Sequence, residues 1–292
     1  MSLLPARLRE VLRDPLYRWE LRSYWTWRRY LGSWAFCLGF VALTCVLARL
    51  GLRQGWLIGP DHSMSVQEAF VDLGSHFLTL VRLPLLLLAT AGATLLIVSE
   101  RRSGNLEQFC VTSVNPWRFV MARAAGRLRG LLGIWFVAGA VTGGMMLAWA
   151  VASIVLPVPA YLFGLAPGWA APCLGMAASV VRYLDLGLMM VLCTAVGLRF
   201  SASSRSTAIA LIKSGLVCFI AMPMVLGAPV LALNIAVMFG AFHDSAVYWH
   251  LPAVHLVAEL SHAGLGGLAL WLFVRWARKA ADNAFVSLEA GP

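Results

Sequence analysis

Six times along its 292 residues the chain passes through a mostly apolar run about twenty residues long or longer, the length an α-helix needs to cross a hydrocarbon core roughly 30 Å thick. The runs are Leu31–Leu50, Phe77–Val98, Gly130–Leu156, Ala178–Leu198, Ala208–Gly227 and Leu256–Val274. A further apolar stretch, Pro229–Phe242, is short for a span and has the length of an interfacial or re-entrant helix between spans five and six. The runs predict an all-α polytopic membrane protein with six transmembrane helices in one domain over residues 1–292. Its parts are a cytoplasmic elbow (1–30), spans one and two (31–99), a cytoplasmic loop (100–129), spans three to six (130–274) and a cytoplasmic tail (275–292).

Composition agrees. Hydrophobic residues make up 60% and charged residues 12% of the chain, against about 45–50% and 25% in a soluble globular protein. That excludes a soluble enzyme, a disordered tail and a nucleic-acid-binding domain. The net charge of +10 could suggest nucleic acid, but the position of the charges gives another reading. Seven Lys and Arg precede span one, six lie between spans two and three, two lie in Arg199–Ser206 and three follow span six, whereas the opposite side carries only Arg49 and Arg53. The positive-inside rule then places both termini in the cytoplasm; the expected location is a bacterial-type inner (plasma) membrane. The first thirty residues mix Arg with Glu10, Asp14 and Glu20 and do not read as a signal peptide. Of the six cysteines only Cys173 is expected outside, so neither a disulfide framework nor a zinc spacing is expected.

Ionisable residues inside spans are costly and point to function. Counted from the cytoplasmic span ends at 1.5 Å per residue, Arg82 and Arg182 lie about 24 Å up, Glu259 about 22 Å, Asp185 about 20 Å and His262 about 18 Å. Five ionisable groups from three spans therefore share a slab in the outer half. Arg182 and Asp185, at i and i+3, can pair on their own helix, and Arg82 and Glu259 are the natural partners across helices. The layer reads either as ion pairs that fix helix register or as a gate or polar substrate contact. His255, Glu259 and His262 share one helical face but lack a fourth ligand, so no metal is expected. Gly139 and Gly143 in span three form a close-packing pattern.

On the cytoplasmic side, Tyr17, Leu21, Tyr24 and Trp25 mark one face of an interfacial elbow helix, with Arg18, Arg22 and Arg29 opposite, as an anchor or a gating element. In Glu100–Arg129, Asn115-Pro116 is a helix-start signal. The loop reads as two short helices with a turn at Val111–Val114. It is long for a plain connection, and so a docking element.

Glu100-Arg101-Arg102-Ser103-Gly104-Asn105-Leu106-Glu107, with Thr112 and Met121-Ala122-Arg123, resembles the first cytoplasmic loop of type-two ABC transporter permeases, which usually reads Glu-Arg/Lys, Gly-Thr-Leu-Glu, Thr-Pro and Leu-Gly-Lys. Asp14-Pro15 with Glu20-Leu21-Arg22 is similar to their elbow, and Phe200–Thr207 to their second cytoplasmic loop. Asn105, Ser113 and Arg123 depart from the usual Thr, Pro and Lys. The resemblance implies a permease, of exporter type, that works as a homo- or heterodimer with a second permease copy, each half resting on a separate ABC ATPase subunit. By matching, Glu100, Gly104, Leu106 and Glu107 form the hinge into the coupling element, and Val114, Asn115, Pro116, Trp117 and Arg118 the docking helix. The bland alternative places Trp117 and Phe119 at the lipid interface.

The chain has no G-x-x-x-x-G-K-[ST] motif, and its only lysines are Lys213 and Lys279. It is expected to bind no cofactor and not to be an enzyme itself, with ATP and Mg on the partner ATPase. A non-transporting membrane scaffold is one alternative, and two other classes have partial signals in the sequence. Ser261–Gly266 is similar to the histidine helix of rhomboid proteases and Ser214-Gly215 offers a serine, but Ile212 stands where that motif needs Gly. A secondary transporter would show internal repeats, and none is evident. The substrate is open among lipids, peptides, antibiotics and polysaccharide carriers.

Overall fold

The computed structural model describes residues 28–39, 66–103, 115–155, 170–204, 206–228 and 251–289, together with Pro15, Tyr17, Arg18, Thr26 and Leu231. Among the described residues every regular element is helical. In chain order they are α1 (28–39), α2 (Val66–Arg102), α3 (Pro116–Val155), α4 (Ala170–Ser203), α5 (Thr207–Leu216, continued by a π-helical turn at Val217–Ala221 and α-helix over 222–228) and α6 (Leu251–Glu289). Five segments are long and apolar enough to cross a membrane: Val81–Arg102, Trp117–Gly144, Val180–Ser203, Thr207–Ala228 and Leu256–Asn283. They coincide with expected spans two to six, and the chain is a multi-pass membrane protein. Helix α1 covers the beginning of the expected first span. The rest of that span, residues 229–230 and 232–242 of the expected re-entrant helix, and the elbow apart from Pro15, Tyr17, Arg18, Thr26 and residues 28–30 lie outside the described residues.

The helices overrun the apolar runs. α2 has 37 residues, α3 has 40 and α6 has 39. This corrects the second of the two short helices expected in Glu100–Arg129, since the helix that opens at Pro116 does not stop before span three; α2 continues to Arg102, and the first short helix and its turn fall outside the described residues. Its start is as the sequence implied. Asn115 caps it, with Oδ1 accepting from the backbone N–H groups of Trp117 at 2.9 Å and Arg118 at 3.3 Å, and Pro at the first helical position lacks only a donor that would be unused. No breaker follows, and Phe119, Val120, Ala122 and Ala124 bury one face of the extension, so packing carries the helix through Gly126 and Gly130. Segment 104–114 lies outside the described residues.

Helix α4 is the centre of the bundle. It packs most extensively on α6 and α2 and also meets α3 and α5, while α2 contacts α3, α4 and α5. The core divides in two. Toward one end Leu85, Leu186, Met190, Leu192 and Val196 pack with Ile134 and Cys218. Toward the other Ala93, Ala124, Ala202, Ala277, Ala280 and Ala281 surround Leu96, Ile97 and Phe119. Small residues let helices approach closely where lipid offers no hydrophobic drive for association. α5 and α6 keep apolar surface outward at Ile212, Met224, Leu260, Leu268 and Trp271, as lipid-facing helices do.

Two local features shape the bundle. Pro223 has no N–H to return to Phe219, and the chain widens just before it: the Met222 N–H reaches the Val217 carbonyl five residues back. At the α2–α4 crossing, a Cβ on Gly197 would stand 2.8 Å from the Thr90 carbonyl oxygen and 2.9 Å from Ala93 Cβ. Gly139, of the expected close-packing pair, meets the ring of Tyr183, which stacks on Trp135 at 4.5 Å and 4°, whereas a Cβ added at Gly143 would meet nothing within 4 Å among the described residues.

Gly197→Val is therefore expected to destabilise the protein by about 1–3 kcal/mol through overpacking against backbone. Gly215→Ala, where a Cβ meets nothing within 4 Å among the described residues, is expected to be neutral or stabilising by up to about 1 kcal/mol. Thermal unfolding of the two variants in detergent distinguishes these outcomes; equal transitions would refute the close approach.

Candidate functional site

The expected polar layer comes together. Arg82 from α2, Arg182 and Asp185 from α4, and Glu259 and His262 from α6 form one connected group, but the pairings differ from expectation. Arg82 Nη2 lies 3.1 Å from Asp185 Oδ2, His262 Nδ1 lies 3.0 Å from Asp185 Oδ1, and Arg182 Nε donates to Glu259 Oε1 at 3.0 Å. The expected Arg182–Asp185 and Arg82–Glu259 pairs are thus replaced by their exchange. The reason is rotational. Asp185 is 1% exposed and faces the junction of α2, α4 and α6, whereas the Arg182 side chain, 31% exposed, lies at the edge of the α4–α6 contact and finds Glu259 there. The Arg82 contact is an ion pair without hydrogen-bond alignment, since Asp185 Oδ2 has no hydrogen-bond partner.

Both α4–α6 pairs join residues 77 apart in sequence. Arg182 and Asp185 on α4, and Glu259 and His262 on α6, stand at i and i+3, so two parallel helices are joined by two rungs one turn apart. This matched spacing was present in the sequence and is the signal that would have given the pairing.

The layer closes one end of a cavity of about 570 Å³ among α2, α4, α5 and α6. Arg82, Glu259 and His262 form its polar end, and Leu86, Met189, Phe219, Met222 and Leu226 its apolar wall. Cys218 and Phe219, in the π-helical turn, line it directly; such turns frequently occur at functional sites. The arrangement offers amphipathic binding rather than bond-making chemistry. Among the described residues no group of three or more His, Cys, Asp or Glu converges as a metal site, and the His255 side chain lies outside them. Ser214, the serine of the protease alternative, is hydrogen-bonded to Thr94 Oγ1 at 3.0 Å, while His262 is engaged by Asp185.

The residues matched to the coupling element lie at the other end of α2, 18 residues from Arg82 and hence about 27 Å away along the helix. Glu100 is buried in the last turns of α2 and forms an ion pair with Arg123 of α3, whose guanidinium also lies over the Phe119 ring. Glu100 therefore joins α2 to α3 within the helical body. Asn115 is the exposed cap, Trp117 packs partly against the alanine-rich core, and Arg118 is exposed. Gly104, Leu106, Glu107 and Val114 lie outside the described residues, as does the Pro116 side chain.

Three residues that the sequence placed inside matched motifs but not among the site residues hold this end together. Besides Arg123, Arg101 donates to the Ser204 and Ala202 carbonyls at 3.1 and 3.3 Å, capping the C-terminal end of α4 as basic side chains do. The hydroxyl of Ser201 accepts from the backbone N–H groups of Ile97 and Val98 at 3.0 and 3.2 Å. Near α3, Arg129 donates to the buried Tyr17 hydroxyl at 2.8 Å, tying the N-terminal region to the α3 extension.

Two measurements follow. Asp185→Asn removes the anion from a closed site with two partners and is expected to cost about 3–5 kcal/mol; Glu259→Gln, in a half-exposed pair, about 1 kcal/mol. Equal losses on thermal unfolding would contradict the burial difference. Glu100→Gln or Arg123→Met alone is likewise expected to cost about 3–5 kcal/mol, and Glu100→Leu with Arg123→Met to recover most of it by replacing the ions with apolar volume. A double variant no better than either single one would show that the pair is not the shared cause.

Neither a family model, nor a curated protein, nor a solved structure matches this chain.

Proposed function

We propose that the chain is the membrane-spanning permease subunit of an ABC transporter of exporter type, working with a separate ATPase subunit and a second permease copy or homologue. In this reading it crosses the membrane six times with both termini in the cytoplasm. The observation that carries the proposal is the junction of two motif-bearing segments. Glu100-Arg101 and Phe200–Ser204, matched separately to the first and second cytoplasmic loops of such permeases, are interlocked through Arg101 and Ser201. Beside them stands the capped start of α3, with Trp117 half-buried and Arg118 exposed.

A load placed on Asn115–Arg118 would move the ends of α2, α3 and α4 together, since the buried Glu100–Arg123 ion pair and hydrogen bonds to backbone connect them. Long continuous helices would carry that movement toward the Arg82 end. ATP and Mg belong to the partner, because the chain has no phosphate-cradling loop with its lysine. The apolar surface left outward on α5 and α6 supports contact with lipid or with the second copy.

Affinity purification of the tagged chain from its native membrane is expected to bring down an ATPase with a Walker motif. Arg118→Glu and Trp117→Ala are expected to lower its recovery severalfold at temperatures well below the unfolding transition of each variant. A chain purified alone, with no ATPase in reach of mild cross-linking, would overturn the proposal in favour of a non-transporting scaffold.

A further inference from the structure

The cavity at the Arg82 end has a charge arrangement that selects for a kind of ligand. The polar layer holds two arginines and two carboxylates, each ion in contact with an opposite one. A ligand of net charge would add an ion with no counter-ion beside a layer whose charges are already paired. Among the described residues Arg82 makes one ion pair, through Nη2, and Glu259 one, through Oε1. Both line the cavity. An arginine has five N–H donors and a carboxylate two acceptor oxygens, so the cavity presents spare donors from Arg82 and a spare acceptor, Oε2, from Glu259. A headgroup bearing an anion and a donating cation would satisfy both and leave the site neutral.

The rest of the cavity is apolar. Met189, Met222 and Phe219 give it an adaptable wall, methionine being well suited to irregular apolar ligands. Leu83 and Leu231, at 40% and 62% exposure, mark its open side, where a chain longer than the cavity would pass into the bilayer. The volume of about 570 Å³ is that of a small-molecule site.

We infer that the cavity binds a zwitterionic amphiphile, with its phosphate on Arg82, its amine N–H on Glu259 and its acyl chain against the methionine wall. This names the substrate class of the transport reading and rests on it for the transport step only; binding needs neither the ATPase nor turnover.

The test is native mass spectrometry of the purified full chain after exposure to phosphatidylethanolamine, phosphatidylcholine or phosphatidylglycerol with identical acyl chains. Phosphatidylethanolamine is expected to be retained about tenfold better than either of the others, the worth of one charge-assisted hydrogen bond. Phosphatidylcholine has no amine hydrogen to give Glu259, and phosphatidylglycerol brings a net charge. Glu259→Gln should lower phosphatidylethanolamine to the level of phosphatidylcholine and, by leaving Arg182 without its counter-ion, raise phosphatidylglycerol. Leu231→Trp, at the exposed mouth, should lower all three. These two variants keep the proposal testable if Arg82→Gln, expected to lower all three as well, does not fold. Equal retention of the three lipids, a preference for phosphatidylglycerol, or unchanged retention in Glu259→Gln would overturn it. Selective retention without a co-purifying ATPase would overturn the transport reading alone, and a co-purifying ATPase with unselective retention would overturn this inference alone.

Discussion

Asp185 sits where α2, α4 and α6 meet, and its carboxylate is closed off in a bundle otherwise built of Leu, Met, Val and Ala. An ion in such a place costs several kcal/mol unless opposite charge and hydrogen-bond donors are brought to it. Arg82 and His262 supply them from the two flanking helices, so the requirement of one side chain sets the rotation and height of three. Arg182 and Glu259 add a second rung on the parallel α4–α6 pair. Sliding either helix by one residue would break both rungs together. The cavity beside the layer inherits its position from this constraint, because its polar end is formed by residues already held in the layer.

The opposite end of the bundle is held by different means. There alanines bring the helices close, and the connections include the buried Glu100–Arg123 ion pair, hydrogen bonds that Arg101 donates to backbone carbonyls and hydrogen bonds that Ser201 accepts from backbone N–H groups. Polar groups that end on backbone fix a helix end more firmly than contacts between flexible side-chain tips, since only one partner must be ordered. The start of α3 is capped but stays exposed at Asn115 and Arg118. The molecule thus has a tied, partly exposed end and a cavity-bearing end, with α2 running from one to the other.

Much of this was legible before any coordinates. The layer of Arg82, Arg182, Asp185, Glu259 and His262 could be placed at one depth because ions are rare in apolar helices and the rise per residue is constant. Its pairings could not, because an i, i+3 neighbour and a neighbour on another helix compete, and only the rotation of α4 decides between them. The start of α3 was legible from Asn115-Pro116, a local signal. Its continuation past Arg129 was not, because the face formed by Phe119, Val120, Ala122 and Ala124 is stabilised by contacts with other helices. Arg123 stood in the sequence as a departure from a family lysine, and its role appears only beside Glu100.

Taken alone, then, the sequence determined which segments are helical and apolar enough to cross a membrane, and the relative heights of their charged groups. Run length, capping and rise per residue are properties of a single segment. The tertiary structure alone decided the exchange of ion-pair partners, the interlocking of Glu100-Arg101 with Phe200–Ser204, and the existence of a cavity with one polar end. These depend on how far apart and how rotated the helices are. That is set where Gly197 meets Thr90 and Ala93, where Gly139 meets Tyr183, and where Pro223 widens α5, contacts whose partners lie far away along the chain.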